Sequence, residues 1–372
     1  MGNSLRVSVI GAGPAGLAAA LELARGGAEV TVYEQHRTPG RRFHGDTQAF
    51  ENWTTDEDVP SWLKRLGVAI NFPCRAMHRV TLADAALTRY AVASRRPLLY
   101  LVKRGPEEDS LDRRLAAQAA ARGVEFRFGR RVRPEELAGP VIVATGPWAT
   151  QGVVAGIVAE TSHADQVVAI ARDALAPKGY AYCVVLSGRA TLATVAMRDF
   201  RRAWACLAEA RRAFWSLGLS DFREPRRFGG RAHVGLRDPL AEGSRLYVGE
   251  AAGLQDYLFG FGLRYAILSG HLAARALLTG ERYDALVARH LRSAQRAGFV
   301  NRLVFDRLGD RGYRWLVGWL SRGDGGRRAR GMYAFSPLHR ALWPLVALTT
   351  PIASSSAWSS GARGGVKVAP GP

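Results

Sequence analysis

The chain has 372 residues, 48% of them hydrophobic, enough to bury a large core in two domains or in one domain with a sizeable insertion. Its net charge is +20 and all but four of its 52 basic residues are arginine, which favours anionic partners; no helix-turn-helix, zinc-finger or RNA-binding signature accompanies that charge, so nucleic acid is not expected. No run reaches the roughly 18 unbroken apolar residues of a membrane span. Cys74, Cys183 and Cys206 lack CxxC or metal-ligand spacing, which predicts free thiols in a reducing cytoplasm and no metal site.

Leu5 to Gln35 reads as strand, glycine turn, helix, second strand and acid. Arg6–Ile10 has the apolar run of a buried parallel strand. It runs directly into GAGPAG, so it is expected to be a strand rather than part of a signal peptide. Gly11 suits a tight turn, Gly13 close approach of a pyrophosphate, and Gly16 close packing of helix on strand. Pro14 and Ala15 open a helix whose free N–H groups and dipole favour the pyrophosphate. Glu34 stands about twenty residues on, where a carboxylate accepts ribose hydroxyls. These features together predict a dinucleotide site.

The segment from His36 to Asp58 reads as a long loop rich in aromatics, acids and amides, with a short helix over Pro60 to Leu66. Residues 72–93 carry two short antiparallel-strand patterns. Pro97 to Gly105 is a stronger strand, followed by a helix over Ser110 to Gly123 and a returning strand, which predicts another βαβ unit. Pro140 to Ala149 is an apolar strand ending in Ala144-Thr145-Gly146, at the carboxyl end where ligands sit in open α/β sheets.

From Gly156 short strand-like runs predict an antiparallel sheet, joined by an amphipathic helix over Asp199 to Leu217. Ser244 to Gly280 then returns as strand, loop and long helix, with Gly260 and Gly262 just ahead of an apolar stripe. Beyond Tyr283 the pattern is helical and rich in Arg and Trp, and residues from Ser354 are expected to be disordered. The implied division is a dinucleotide-binding domain from 1–71, 97–155 and 244–282, an inserted sheet domain from 72–96 and 156–243, a helical C-terminal region 283–353 and a tail 354–372.

This order of motifs resembles the glutathione-reductase-like FAD fold, in the branch shared by para-hydroxybenzoate hydroxylase-like enzymes and geranylgeranyl reductases. The resemblance covers roughly Leu5 to Leu278 and rests on GAGPAG with Glu34, on Arg104 with Leu111-Asp112, on VIVATG, on GYAYCVVLSGRATLATV and on YVGEAAGLQDYLFGFGLRYAILSG. It implies an α/β fold: a Rossmann-type FAD-binding domain with an inserted antiparallel-sheet substrate domain. FAD would be held non-covalently by Gly11, Gly13, Pro14, Ala15, Gly16, Glu34, Gln35, Arg41, Arg42, Arg104, Ala144, Thr145, Gly146, Gly249, Glu250, Ala251, Gly260, Gly262 and Leu263. Two departures stand out. Glu250 replaces the family's Asp, and the family's cysteine after the ribose acid is replaced by a segment with Arg41, Arg42, His44 and Asp46.

Gly260 and Gly262 would aim helix N–H groups at the flavin N1/O2 edge. His44, Asp46, Glu51 and Trp53 occupy the loop expected to reach the flavin; His44 and Asp46 are proton-transfer candidates, His44 for its near-neutral ordinary pKa. Arg41 and Arg42 are equally read as phosphate ligands or solvated charge. Tyr180 and Tyr182 share a strand face, lining a substrate cavity or packing the sheet; Tyr180 is the third catalytic candidate.

The expected function is an FAD-dependent oxidoreductase reducing an apolar or lipid-like substrate. The alternatives are a flavin-dependent monooxygenase using NAD(P)H and O2, and a non-catalytic nucleotide- or ligand-binding protein on the same fold. Without a second GxGxxG, NAD(P)H or a carrier protein is expected as a transient electron donor. The expected location is cytoplasmic, with the Arg/Trp-rich helices either lying on a membrane surface or capping the substrate domain.

Overall fold

The structure is a computed structural model describing residues 4–235 and 237–349. Its first layer is a six-stranded sheet in the spatial order 241–242, 245–247, 141–143, 6–10, 29–34 and 125–128. All neighbours run parallel except the terminal pair 241–242 and 245–247. Arg6–Ile10 pairs with Glu29–Tyr33 on one side and Val141–Val143 on the other, so the two apolar runs read as buried strands are central. The helix Pro14–Arg25 covers this sheet, burying Leu17, Leu21 and Leu23; each such side chain stabilises by about 1.5–3 kcal/mol. The returning helix Leu263–Thr279 lies against it so closely that a Cβ at Gly270 would stand 2.0 Å from the Ala15 carbonyl oxygen.

A seven-stranded sheet forms the second body, in the order 223–232, 152–160, 189–196, 180–186, 166–170, 79–83 and 89–93. It is antiparallel except where 166–170 runs parallel to 79–83. Helix Ala203–Ser216 closes one face through Leu207, Ala210 and Phe214. The strand Arg223–Ala232 is absent from the sequence reading, because its arginines and exposed edge position give it no apolar alternation.

Two sequence expectations need correction. Thr47–Glu51, read as loop, is a strand, and Leu99–Lys103 is not part of a parallel βαβ unit. The two pair antiparallel with each other, and Cys74–Met77 pairs antiparallel on the other edge of Leu99–Lys103, making a separate three-stranded sheet. A strand buried on both faces has the same continuous apolar pattern whatever the direction of its partners, so the pattern reported burial and not pairing.

The C-terminal helices lie over the edge of the larger sheet. Arg314 Nε meets Asp84 Oδ2 at 2.8 Å, and Ser94 donates its hydroxyl to Asp324 at 2.9 Å. Among the described residues no helix is long and apolar enough to cross a membrane. Trp315, Leu338, Leu345 and Leu348 are exposed on these helices. The expected tail, 354–372, lies outside the described residues.

Candidate functional site

The GAGPAG turn explains each of its glycines by space. Gly11 has φ +106°, and a Cβ there would meet the Ala144 carbonyl oxygen at 2.4 Å. At Gly16 a Cβ would stand 2.0 Å from the Gly11 carbonyl oxygen. At Gly13 it would meet nothing within 4 Å, so this position opens on free space at the N-terminus of Pro14–Arg25. An anion there meets N–H groups that have no partner within the helix. The Glu34 carboxylate accepts from the backbone N–H of Ala12 and of His36, each at 2.9 Å, which locks it beside the turn. Gln35 is exposed next to it.

More than 200 residues after Glu34 the chain returns to this sheet. Arg245–Tyr247 pairs with Val141–Val143, bringing Gly249, Glu250 and Ala251 beside Ala144, Thr145 and Gly146. The Gly249 N–H donates to the Ser269 hydroxyl at 2.9 Å, tying this turn to the long helix. Glu250 forms an ion pair with Arg42, whose guanidinium also donates to the Arg231 carbonyl at 2.7 Å. The longer acid at 250 therefore reaches an arginine from the loop after the second strand. Arg41 is exposed.

Gln255 to Gly262 forms a self-bonded loop. The Asp256 N–H donates to the Phe261 carbonyl at 2.9 Å, Gln255 Nε2 donates to the Gly260 carbonyl at 2.7 Å, and the Asp256 carboxylate accepts from the N–H groups of Leu258 and Phe259. Burial nevertheless pushes the Asp256 acid up from its ordinary value. Gly260 has φ +76°, Gly262 caps the helix, and Leu263 begins it. The unpaired N–H groups of this first turn and the positive end of the helix dipole suit an electron-rich ligand edge.

Of the catalytic candidates, Tyr180 meets this loop and His44 does not. The Tyr180 hydroxyl donates to the Phe259 carbonyl, and its ring stands 6.3 Å from Phe259 and 6.0 Å from Tyr182. Both tyrosines thus turn toward the glycine loop, while Cys183 is buried on the opposite side of the sheet. His44 is exposed and stacks on Phe228 of the sheet domain at 6.3 Å. Asp46 is 2% exposed; it accepts from the His44 N–H at 3.0 Å, and burial pushes its acid up.

Arg104, expected among the cofactor ligands, is held by partners within the protein. It makes a bidentate pair with Asp112 at 2.8 Å for both bonds, donates to Gln48 and stacks over Phe43 at 4.0 Å. It acts as the buried tie between the strand Leu99–Lys103 and the helix Leu111–Ala120.

Two residues around the loop escaped sequence reading. Arg264, 3% exposed, donates to the backbone carbonyls of Glu51 and Glu57, to Asn52 and to Thr55, and stacks over Trp62. An arginine inside an apolar helical stripe was the available signal. Asp256, within GLQDYLF, carried none, because its role depends on how the loop closes.

A family model described as an NAD(P)-binding Rossmann-like domain matches residues 9–65. The thiamine thiazole synthase of Thermotoga maritima is 32% identical over 97 residues, and the match spans 22% of this chain and 39% of that protein. Similarity to solved structures is far broader. A geranylgeranyl bacteriochlorophyll reductase-like protein from Thermoplasma acidophilum superposes with TM-score 0.71 at 16% identity, over 92% of this chain and all of the other. A flavin-dependent brominase gives 0.67 at 13% identity over 93% and 99%, and a probable FAD-dependent monooxygenase from Pseudomonas aeruginosa gives 0.62 at 15% over 85% and 100%. The chain has the fold of these proteins, a Rossmann-type domain interrupted by an antiparallel sheet domain and followed by helices.

Proposed function

We propose that the protein is an FAD-dependent oxidoreductase acting on an apolar, lipid-like substrate. The observation that carries the reading is two helix starts, at Pro14 and Leu263, on helices packed tightly against each other. Open space at Gly13 beside Glu34 suits the adenosine diphosphate, and the helix start at Gly262-Leu263 suits the flavin ring. The strands that lead into the two regions, Arg6–Ile10 and Arg245–Tyr247, flank Val141–Val143 in one sheet.

Bound FAD would supply hydride or electron transfer. The chain's own residues bind and orient it. The helix starts at Pro14 and Leu263 would favour its negative portions, Arg42 would serve a phosphate, and Glu34 would accept hydrogen bonds from the ribose. Tyr180, Tyr182, Phe259, Phe261 and Trp53 supply an apolar wall at the flavin end, shared between the sheet domain and the glycine loop. That wall excludes water and favours a lipid-like substrate over a charged one. NAD(P)H or a carrier protein would serve as the transient electron donor.

Reduction of an isolated double bond is the leading reaction. Oxygen-dependent hydroxylation is the second reading, supported by the superposition on a probable monooxygenase. A visible absorbance spectrum of the purified protein, followed by anaerobic titration with NADPH, tests the assignment. A yellow protein that bleaches and then reduces a lipid alkene without consuming O2 supports the reductase. Substrate-dependent O2 uptake selects the monooxygenase. A protein that stays colourless with added FAD overturns both in favour of a non-catalytic binding protein.

A further inference from the structure

Behind the glycine loop lies a group of buried polar atoms to which the proposed function gives no role. Glu51 ends its strand at 1% exposure; Oε1 accepts from the Thr54 hydroxyl at 3.1 Å, and Oε2 has no hydrogen-bond partner. The Trp53 indole nitrogen, the Gln255 amide oxygen and the Tyr265 hydroxyl are also buried without partners. Three chain segments bring these atoms to one place. Trp53 packs edge-on against Phe261 at 5.3 Å, Gln255 is tied to Gly260, and Tyr265 stands in the helical turn that the loop opens. The C-terminal helix Gly325–Tyr333 supplies a further wall, with the Tyr333 ring 6.5 Å from Trp53 and its hydroxyl facing Asp256. Buried polar atoms are nearly always satisfied, so several orphans around one loop call for an account.

The charges facing Glu51 leave its carboxyl short of compensation. Arg264 attracts it, yet the Arg264 guanidinium bonds the Glu51 backbone carbonyl, Thr55, Asn52 and the Glu57 carbonyl rather than the carboxyl. Asp256 repels it from the glycine loop, and Tyr265 and Tyr333 are held neutral by burial. An ionised, half-bonded carboxylate there is costly. Burial, opposed by Arg264 and aided by Asp256, pushes the Glu51 acid up to about 7.

We infer that Glu51 is a proton-holding group of the glycine loop, protonated when negative charge is brought to Gly260–Gly262 and ionised when that charge leaves. The inference rests on the FAD reading for the source of the charge. Hydride transfer from a nicotinamide donor to bound FAD would add one negative charge at the loop. Glu51 takes one proton from solvent on Oε2, and the site's net charge is unchanged. Reoxidation returns that proton.

Glu51→Gln keeps shape and hydrogen bonding while removing titration. Infrared difference spectra of the flavin-free protein between pH 5 and 9 should show one protonated-carboxyl band titrating near pH 7, absent in Glu51→Gln. Asp256→Asn should move that titration to lower pH, and it provides a second test should Glu51→Gln misfold. With FAD bound, reduction of the wild type near neutral pH should take up one more proton than reduction of Glu51→Gln, read from the slope of midpoint potential against pH. A band that persists in Glu51→Gln, or equal proton uptake in both proteins, overturns the inference. A titrating band in a protein that binds no FAD would remove the proposed function and leave the proton-holding carboxyl standing.

Discussion

Arg42 and Glu250 stand 208 residues apart in the chain and form an ion pair beside Gly146, at the carboxyl end of the central strand Val141–Val143. The pair joins the loop after the second strand to the turn that opens the returning segment. It also accommodates the extra methylene of Glu250, whose carboxylate meets a guanidinium from the loop after the second strand.

If Arg42 also contacts the FAD pyrophosphate, Arg42→Ala should weaken FAD binding about tenfold, the loss of one charge-assisted hydrogen bond. Stability should change by under about 1 kcal/mol, because the pair is partly exposed and such pairs contribute little. Flavin fluorescence titration and urea unfolding of the same variant separate the two effects.

The glycines of the turn should divide by function. Gly13→Val should leave the melting temperature nearly unchanged, since the space there is open, and abolish detectable FAD binding by filling the approach to the helix N-terminus. Gly16→Val should lose both, because its side chain would collide with the Gly11 carbonyl and part the helix from the strand. Circular dichroism melts beside binding titrations distinguish these outcomes.

His271 makes stability depend on acid. Burial pushes its pKa down to about 4, with the neighbouring Glu22, 3.5 Å away, opposing the shift. The unfolded chain binds a proton near pH 6.5 and the folded chain does not, so this contribution is fully present above pH 6.5 and is lost as pH falls toward 4. The loss should total about 3 kcal/mol. Unfolding free energies measured by urea at pH 7 and at pH 4.5 should converge by most of that amount in His271→Gln.

Arg104 and Asp112 are 4% and 1% exposed, so neither charge survives well without the other. Asp112→Asn should cost about 3–5 kcal/mol by leaving a buried guanidinium underpaired. The double variant Arg104→Met with Asp112→Leu should recover much of that loss. Chemical denaturation of both variants decides whether the pair is a structural tie, as its geometry implies, or chiefly a cofactor contact.

Local sequence determined the parts of this protein that depend on spacing along one short segment. Gly11, Gly13 and Gly16, the strands beside them and Glu34 are separated by turns of fixed geometry, so their arrangement was legible before any fold was known. The glycine-led start of the helix at Leu263 was legible for the same reason. Tertiary structure alone decided which partners those segments meet. Leu99–Lys103 pairs antiparallel with Thr47–Glu51, which its apolar run did not distinguish from parallel pairing. Arg104 turns inward to Asp112, His44 faces out onto Phe228, and Arg42 finds Glu250. The buried group around Glu51 draws on a strand, the glycine loop, the first turn of a helix and the C-terminal cap. Burial and charge compensation are properties of the assembled surroundings, and no residue carries them in its own stretch of sequence.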